Sequence, residues 1–436
     1  MVALLRATVL HTPQDPFRDP DALQAFEDGA VAIEGERIAA LGPYDAVRRT
    51  FPEAPVEDLR PAYLTPGFVD IHVHYPQIRI TGRLSTGLLD WLERVALPEE
   101  ARLADAEYAR DVARTFVRCL LRNGTVAALV FGAHFPAAQN ALFEEAHRAG
   151  LWIASGLVLS DRNLRPELHQ TPVEAEQASV GLIERWHGRA RSRYVVMPRF
   201  ALSTSEAMLA VCQELLRSFP DVLFHTHLNE SPEEIAAVQA LFPDQEDYLA
   251  AYEAFDLVGP RSVFAHNVHP TDDELRRLGA GGAWVAHCPS SNLFIGSGLF
   301  PLRRHLRFGV RVALGSDVGG GTGPSLLKEG LAAYQVQQVH SEGFRLGAAH
   351  LLYLATRAGA EALGLAHEMG DLRPGKLANL VVLRPPEGST LDVAVRHAPS
   401  PEAALAVLFA LGGEHAVDQV YLAGRPVYRH GSAASR

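Results

Sequence analysis

The run Leu64-Thr65-Pro66-Gly67-Phe68-Val69-Asp70-Ile71-His72-Val73-His74 is rich in apolar residues and ends on two histidines. It reads as a β-strand and marks a change in the texture of the chain. Seven further short apolar runs follow, at 125–132, 152–159, 194–202, 222–228, 262–268, 283–287 and 310–317. With 64–74 they make eight. Stretches with helical spacing separate them. Over 106–122, Val112, Ala113, Phe116, Val117, Leu120 and Leu121 fall on one helical face, and 206–218, 232–241 and 325–339 behave alike. Eight strand–helix units over roughly 250–300 residues predict an α/β fold, a (β/α)8 TIM barrel. A doubly wound open sheet is the alternative, but no G-x-G-x-x-G follows the first strand.

On the N-terminal side of this block, 2–10, 29–33 and 38–41 read as short strands, the last two joined by a tight turn in which Gly35 can take positive φ. On the C-terminal side, 370–372, 380–383, 417–422 and 426–428 are again short and β-rich. Pairing the two ends gives each a partner for its apolar face. The expected organisation is a small β-sandwich built from both termini (1–64 and 369–436) around a barrel spanning 65–368.

Apolar residues make up 47% of the 436 residues and charged residues 21%, which excludes a disordered, collagen-like or disulfide-scaffold chain. The net charge of −11 gives no bulk attraction for nucleic acid or an anionic membrane. Cys119, Cys212 and Cys288 lie far apart with no C-x-x-C pair, so a reducing compartment is expected. The opening MVALLRATVLHTPQDP lacks the plan of a signal peptide, and no apolar run approaches the ~20 residues of a membrane span. A cytoplasmic enzyme acting on a small molecule is the expectation.

In a barrel of this kind, chemistry gathers at the C-terminal ends of the strands. Those ends carry His72 and His74 on the first strand, Arg199 on the fourth, His227 on the fifth, His266 on the sixth and Asp317 on the eighth. Residues i and i+2 on a strand face the same way, so His72 and His74 can reach one ion. A pair of histidines on a polar strand face is the plainer reading of His72-Val73-His74 alone; the other strand ends favour a metal. In His225-Thr226-His227, the second histidine lies nearer the strand end and is the expected ligand, leaving His225 to pack or to support a ligand. Asp317 completes a set of three histidines and one aspartate, which leaves room for a water on a catalytic zinc or iron. A lysine-derived bridge between two metals is excluded, because the only lysines, Lys328 and Lys376, come after the eighth strand. One metal is expected. Glu230, just past the fifth strand, is placed to move protons to and from the attacking water, although a loop acid beside Glu233 and Glu234 is its plain alternative. His266 would face the same water, while His269 and His287 read as structural.

The segments TPGFVDIHVH, HTHLNES, AHCPSSN, LGSD and GDLRPGKLANLVV together resemble the amidohydrolase superfamily, and they cover the barrel and both flanks. HVHYPQ at 72–77, LLDWLERVALPEE at 88–100, RNGTV at 122–126, MPRFALSTSE at 197–206 and GSDVGGG at 315–321 resemble, within it, the guanine deaminase family. The resemblance implies a homodimeric barrel enzyme that hydrolyses guanine to xanthine and ammonia on one zinc. It implies His72, His74, His227 and Asp317 as ligands and Glu230 as proton shuttle. His266 and Asp317 would stabilise the attacking water, and Gln77, Arg199, Phe200 and His227 would contact the purine. Asn379 stands where the superfamily usually has Asp, outside the catalytic set.

An enzyme of the same superfamily acting on an 8-oxopurine, pterin or triazine, whether deaminase or chlorohydrolase, is the nearest rival. A non-catalytic barrel scaffold is disfavoured by the complete ligand set. A deaminase of the H-x-E with P-C-x-x-C type is disfavoured: His340-Ser341-Glu342 matches the first half, but no P-C-x-x-C occurs.

Overall fold

The computed structural model describes residues 2–431. The chain begins with β1 (Val2–His11), β2 (Gln24–Glu34), β3 (Arg37–Pro43) and β4 (Val56–Pro66). The barrel follows: β5 (Phe68–His74), β6 (Thr125–Phe131), β7 (Trp152–Ser155) with its short continuation β8 (Val158–Leu159), β9 (Ser192–Pro198), β10 (Leu223–Leu228), β11 (Ser262–His266), β12 (Trp284–His287) and β13 (Arg311–Leu314). The chain closes with β14 (Leu380–Leu383), β15 (Val417–Leu422) and β16 (Arg425–Arg429).

The barrel strands pair in parallel, in the order β13-β12-β11-β10-β9-β7-β6-β5. The ring closes through the segment after β13: Asp317 N donates to His72 O, and His74 N to Val318 O, both at 2.8 Å. Alternate residues split between two apolar layers, as a barrel requires. Leu129, Phe131, Val195, Met197 and Val263 fill the interior, while Val126, Val130, Val196, Phe224 and Val285 pack against the outer helices. The helix Ala106–Arg122 buries the face expected of it, including Val112, Phe116 and Leu120, and Asp105 caps it by accepting from the backbone of Glu107 and Tyr108. The helices Glu206–Ser218 and Pro232–Leu241 match their expected bounds, and 325–339 is realised as Leu326–Val339.

The two termini combine in one seven-stranded sheet, ordered β16-β15-β14-β4-β1-β2-β3. Leu5, Val31, Ile38, Leu64, Leu380 and Tyr421 share a single apolar cluster on it, so strands from both ends of the chain cover one another. Gly35 takes φ +60 in the β2–β3 turn, with Glu34 opposite Arg37. Asn379 accepts a hydrogen bond from Ala423 N at 2.8 Å, a role that an aspartate oxygen would also fill.

Several expected strands are drawn differently: 194–202 ends at Pro198 and 310–317 at Leu314, so Arg199 and Asp317 lie just past their strands, and three more change in kind. The run 64–74 is divided: Leu64 to Pro66 pair with β14 in the terminal sheet, and Phe68 onward belongs to the barrel. Gly67 makes the passage, because a Cβ there would lie 2.2 Å from a Val126 methyl. The run 152–159 is interrupted at Gly156, where a Cβ would lie 1.8 Å from Val195 O, yet the pairing on β9 resumes in the same register. Residues 370–372 are not a strand. Gly370 has φ +93, and the Asp371 carboxylate gathers Arg357, Arg373 and Lys376, a charge cluster that a flat strand could not wrap.

Candidate active site

β5 opens the site. Its register against β6 shifts between Asp70 and Val73. Val69 and Ile71 pack inside the barrel and Val73 outside it, so the irregularity lets His72 and His74 both turn toward the mouth. Asp317 and His266 reach the same point from the left-handed region, at φ +45 and +70. Such backbone is costly for a residue with a side chain and clusters where geometry is imposed for function.

Four donor atoms converge. Asp317 Oδ1 lies 3.1 Å from His72 Nε2 and 3.3 Å from His74 Nε2, and His74 Nε2 lies 3.3 Å from both His72 Nε2 and His227 Nε2. All four side chains are buried. Burial drives the His72 pKa down to about 3 and that of His227 well below its ordinary value, so these imidazoles are neutral. Their tautomers are set from behind. His227 Nδ1 donates to Arg199 O at 2.6 Å. His225 Nδ1 donates to Val263 O at 2.7 Å, so His225 Nε2 must accept, and it does so from His72 Nδ1 at 2.7 Å. The Nε2 lone pair of His72 therefore faces Asp317 Oδ1, and that of His227 faces His74 Nε2. Lone pairs crowded together without hydrogen are repulsive unless a cation sits among them, and this donor set suits zinc or iron. A second grouping, His72, His266 and Cys288, is a poorer candidate. Burial holds the Cys288 thiol well above its usual pKa, and it donates to Ala286 O.

Beside the cluster stand two further titratable groups. Glu230 Oε2 lies 3.5 Å from His266 Nε2, and that nitrogen is 3.8 Å from Asp317 Oδ2. Burial pushes the Glu230 carboxyl up to about 7, which poises it to exchange a proton at neutral pH. Burial would lower the His266 pKa, but the carboxylates of Glu230 and Asp317 outweigh it and raise it. Asn292 Oδ1 pairs with His266 Nδ1 at 2.9 Å, Ser291 donates to Asp317 Oδ2 at 2.6 Å, and Ser297 to Glu230 Oε1 at 3.1 Å.

Across the pocket lie Gln77, Arg199 and Phe200, brought to the same space as His74, His227, Glu230, His266 and Asp317. Leu92, Trp91, Ile295 and Phe200 form an apolar cover over it. Every candidate site residue read from the sequence thus borders or braces one pocket. Of the two histidines read as structural, His269 pairs with Ser297 O at 2.6 Å, and His287 stacks on Phe300 with ring centroids 4.2 Å apart.

The sequence reading passed over Glu100. This buried carboxylate accepts from Arg199 Nη1 with both oxygens, at 2.9 Å each, and from Gln77 Nε2 at 2.7 Å. His134 Nδ1 lies 3.6 Å from it. Glu100 ends the 88–100 motif, whose likeness to known sequences carried no role for any one residue. Asp70 was passed over too. It accepts from the backbone of His72 at 3.2 Å and from Ser316 N at 3.0 Å, tying the histidine strand to the loop that bears Asp317.

The amidohydrolase family model matches residues 63–427. The chain is 56% identical to a probable guanine deaminase of Deinococcus radiodurans over 431 residues, covering 98% of each. It is 38% identical to the guanine deaminase of Escherichia coli over 421 residues, 96% of this chain and 95% of that one. The solved structure of an E. coli guanine deaminase superposes with a TM-score of 0.93 at 36% identity, covering 99% of this chain and 100% of that one. Because the match runs unbroken from β4 through the barrel mouth into β16, the chain belongs to the amidohydrolase family and, within it, to the group of the guanine deaminases.

Proposed function

We propose that this protein is a guanine deaminase that hydrolyses guanine to xanthine and ammonia, with His72, His74, His227 and Asp317 holding one zinc or iron ion. The observation that carries the reading is the joining, on one small pocket, of a four-donor cluster and a polar array, Gln77 and Arg199, suited to a purine edge. The full-length likeness to guanine deaminases supports it.

A bound metal supplies Lewis acidity, lowering the pKa of a water toward ~7. The protein's own groups then divide the work. Guanine C2 lies between ring nitrogens and is a poor electrophile. Glu230 takes a proton from the attacking water and delivers it to the ring, then takes the second proton from the new C2 hydroxyl and passes it to the departing amine, so that ammonia leaves as the C2 carbonyl of xanthine forms. His266, held by Asn292, stands beside both carboxylates and steadies the water through its Nε2 hydrogen. Arg199 donates to O6, Gln77 lies along a ring-nitrogen edge, and Phe200 packs on the purine face. Adenine presents an amino donor where guanine has O6 and carries no amine at C2, so it would leave buried polar groups unpaired. Sites that read a polar group this way reject the wrong analogue by ~10⁴-fold or more.

All three cysteines are free, in keeping with a reducing, cytoplasmic location. The homodimer that the resemblance implies is open to measurement by sedimentation. Ammonia release from guanine, 8-oxoguanine, adenine, cytosine and pterin tests the assignment. Guanine should be the best substrate and adenine inert; a pterin or an 8-oxopurine turned over faster than guanine would transfer the assignment to that substrate.

A further inference from the structure

We propose that Glu100 is a positioning residue that fixes which hydrogen-bonding groups Gln77 and Arg199 present to the substrate, and so sets the selectivity of the pocket. The inference rests on the functional reading above. An amide side chain has two orientations, and its partners decide between them. Gln77 is held from both ends. Gly319 N donates to its Oε1 at 3.0 Å, and its Nε2 donates to Glu100 Oε1 at 2.7 Å. A flip would set the amide nitrogen against the Gly319 N–H and the amide oxygen against a carboxylate. Both ends refuse it. The buried Gln77 therefore keeps one N–H and one oxygen lone pair for the pocket, in fixed order.

Glu100 fixes Arg199 in the same way. Both carboxylate oxygens accept from Nη1 alone, at 2.9 Å each. The guanidinium is planar, so anchoring one corner sets the plane of the remaining N–H groups, and Arg199 lines the pocket. Glu100 is buried, as is Arg199, so the pair stands in a low dielectric where its hydrogen bonds are strong and substitutes are few. One carboxylate thus aligns a two-donor fork with a donor–acceptor amide. The combined pattern accepts O6 of guanine at the fork and opposes an amino group there.

In Glu100→Gln an oxygen kept at the Oε1 position can still accept from both Gln77 and Arg199, but the second acceptor becomes an NH2 donor set against Arg199 Nη1 and the negative charge that anchors the guanidinium is lost. The probe that reads the effect is 2,6-diaminopurine, which keeps the C2 amine but replaces O6 by an amino donor. Metal content, kcat and KM are measured on the metal-loaded full chain for guanine and for 2,6-diaminopurine. The unaltered chain should turn guanine over with kcat/KM at least ~10³-fold above the analogue. In Glu100→Gln, metal content should hold, guanine kcat/KM should fall at least ~10-fold with most of the loss in KM, and the guanine preference should narrow at least ~10-fold. Should this variant not fold, Glu100→Asp keeps both oxygens on a shorter stem and should narrow the preference by less. Guanine kinetics within twofold of normal, or a fall in activity with the preference unchanged in the variant that folds, would overturn the proposal. If the unaltered chain does not turn guanine over, the functional reading fails first and takes this inference with it.

Discussion

On one side of the pocket, the converging donors His72, His74, His227 and Asp317 are borne by β5, by β10 and by the turn just past β13. Their outer partners are also part of the barrel: Val263 O on β11, His225 on β10, and Arg199 O just past β9. On the opposite side, Gln77, Trp91, Leu92, Glu100 and Ile295 come from connections between strands. Their order depends on contacts between distant segments, such as Glu100 with Arg199. On the proposed function, a metal cluster built on strands and a substrate face built on loops are a sensible division. The strands hold atoms to the small tolerances that coordination needs, and loops can change the substrate without disturbing the donors.

Substitutions should separate the two sides. The largest effect belongs to the donor cluster. His74→Ala or Asp317→Ala should lose bound metal and reduce guanine turnover by ~10⁴-fold or more, checked by elemental analysis alongside ammonia release. A metal-free variant with near-normal turnover would remove the cluster from the chemistry. Next comes Glu230→Gln, which should keep metal and purine binding while kcat falls at least ~10²-fold. Near-normal kcat would return Glu230 to an ordinary loop acid. Arg199 spans the two sides, its carbonyl bracing His227 and its side chain held by Glu100, so Arg199→Lys tests the loop side. It should keep the metal and lose ~10-fold or more in kcat/KM, because one ammonium cannot copy a planar fork held by Glu100. A kinetically silent Arg199→Lys would deny the loop side its part in recognition.

The smallest effect expected is a displacement of the pH profile. Burial raises the Glu230 carboxyl to about 7, and the hydrogen bond from Ser297 works against that rise by favouring the ionised form. As pH falls through this range Glu230 gains its proton and can no longer act as base, so kcat/KM should fall on the acid side. Removing the stabilising hydrogen bond with Ser297→Ala should move that acid limb to higher pH. A limb unmoved, or moved to lower pH, would mean that another group governs it.

The same division explains what could be read from the sequence. His72-Val73-His74 and His225-Thr226-His227 declare themselves because a strand has a period of two, and because each lies at the end of an apolar run. Eight such runs with helices between them are enough to predict the barrel. The run 64–74 looks like one strand because the signal is local; only the near contact of Gly67 with Val126 divides it between two sheets. His225 could not be assigned from its neighbours, since its partner, His72, lies 153 positions earlier. Glu100 was harder still. A glutamate beside Glu99 in a short proline-containing helical turn has no signature of its own, and its meaning comes from Arg199, 99 positions away.

The most direct test strips the protein with a chelator, returns zinc in measured steps, and follows the conversion of guanine to xanthine. The account predicts that activity rises in proportion to added zinc and levels off at one equivalent per chain, with adenine untouched throughout. A plateau that requires two equivalents, adenine turned over at a comparable rate, or no guanine turnover at any loading would contradict it.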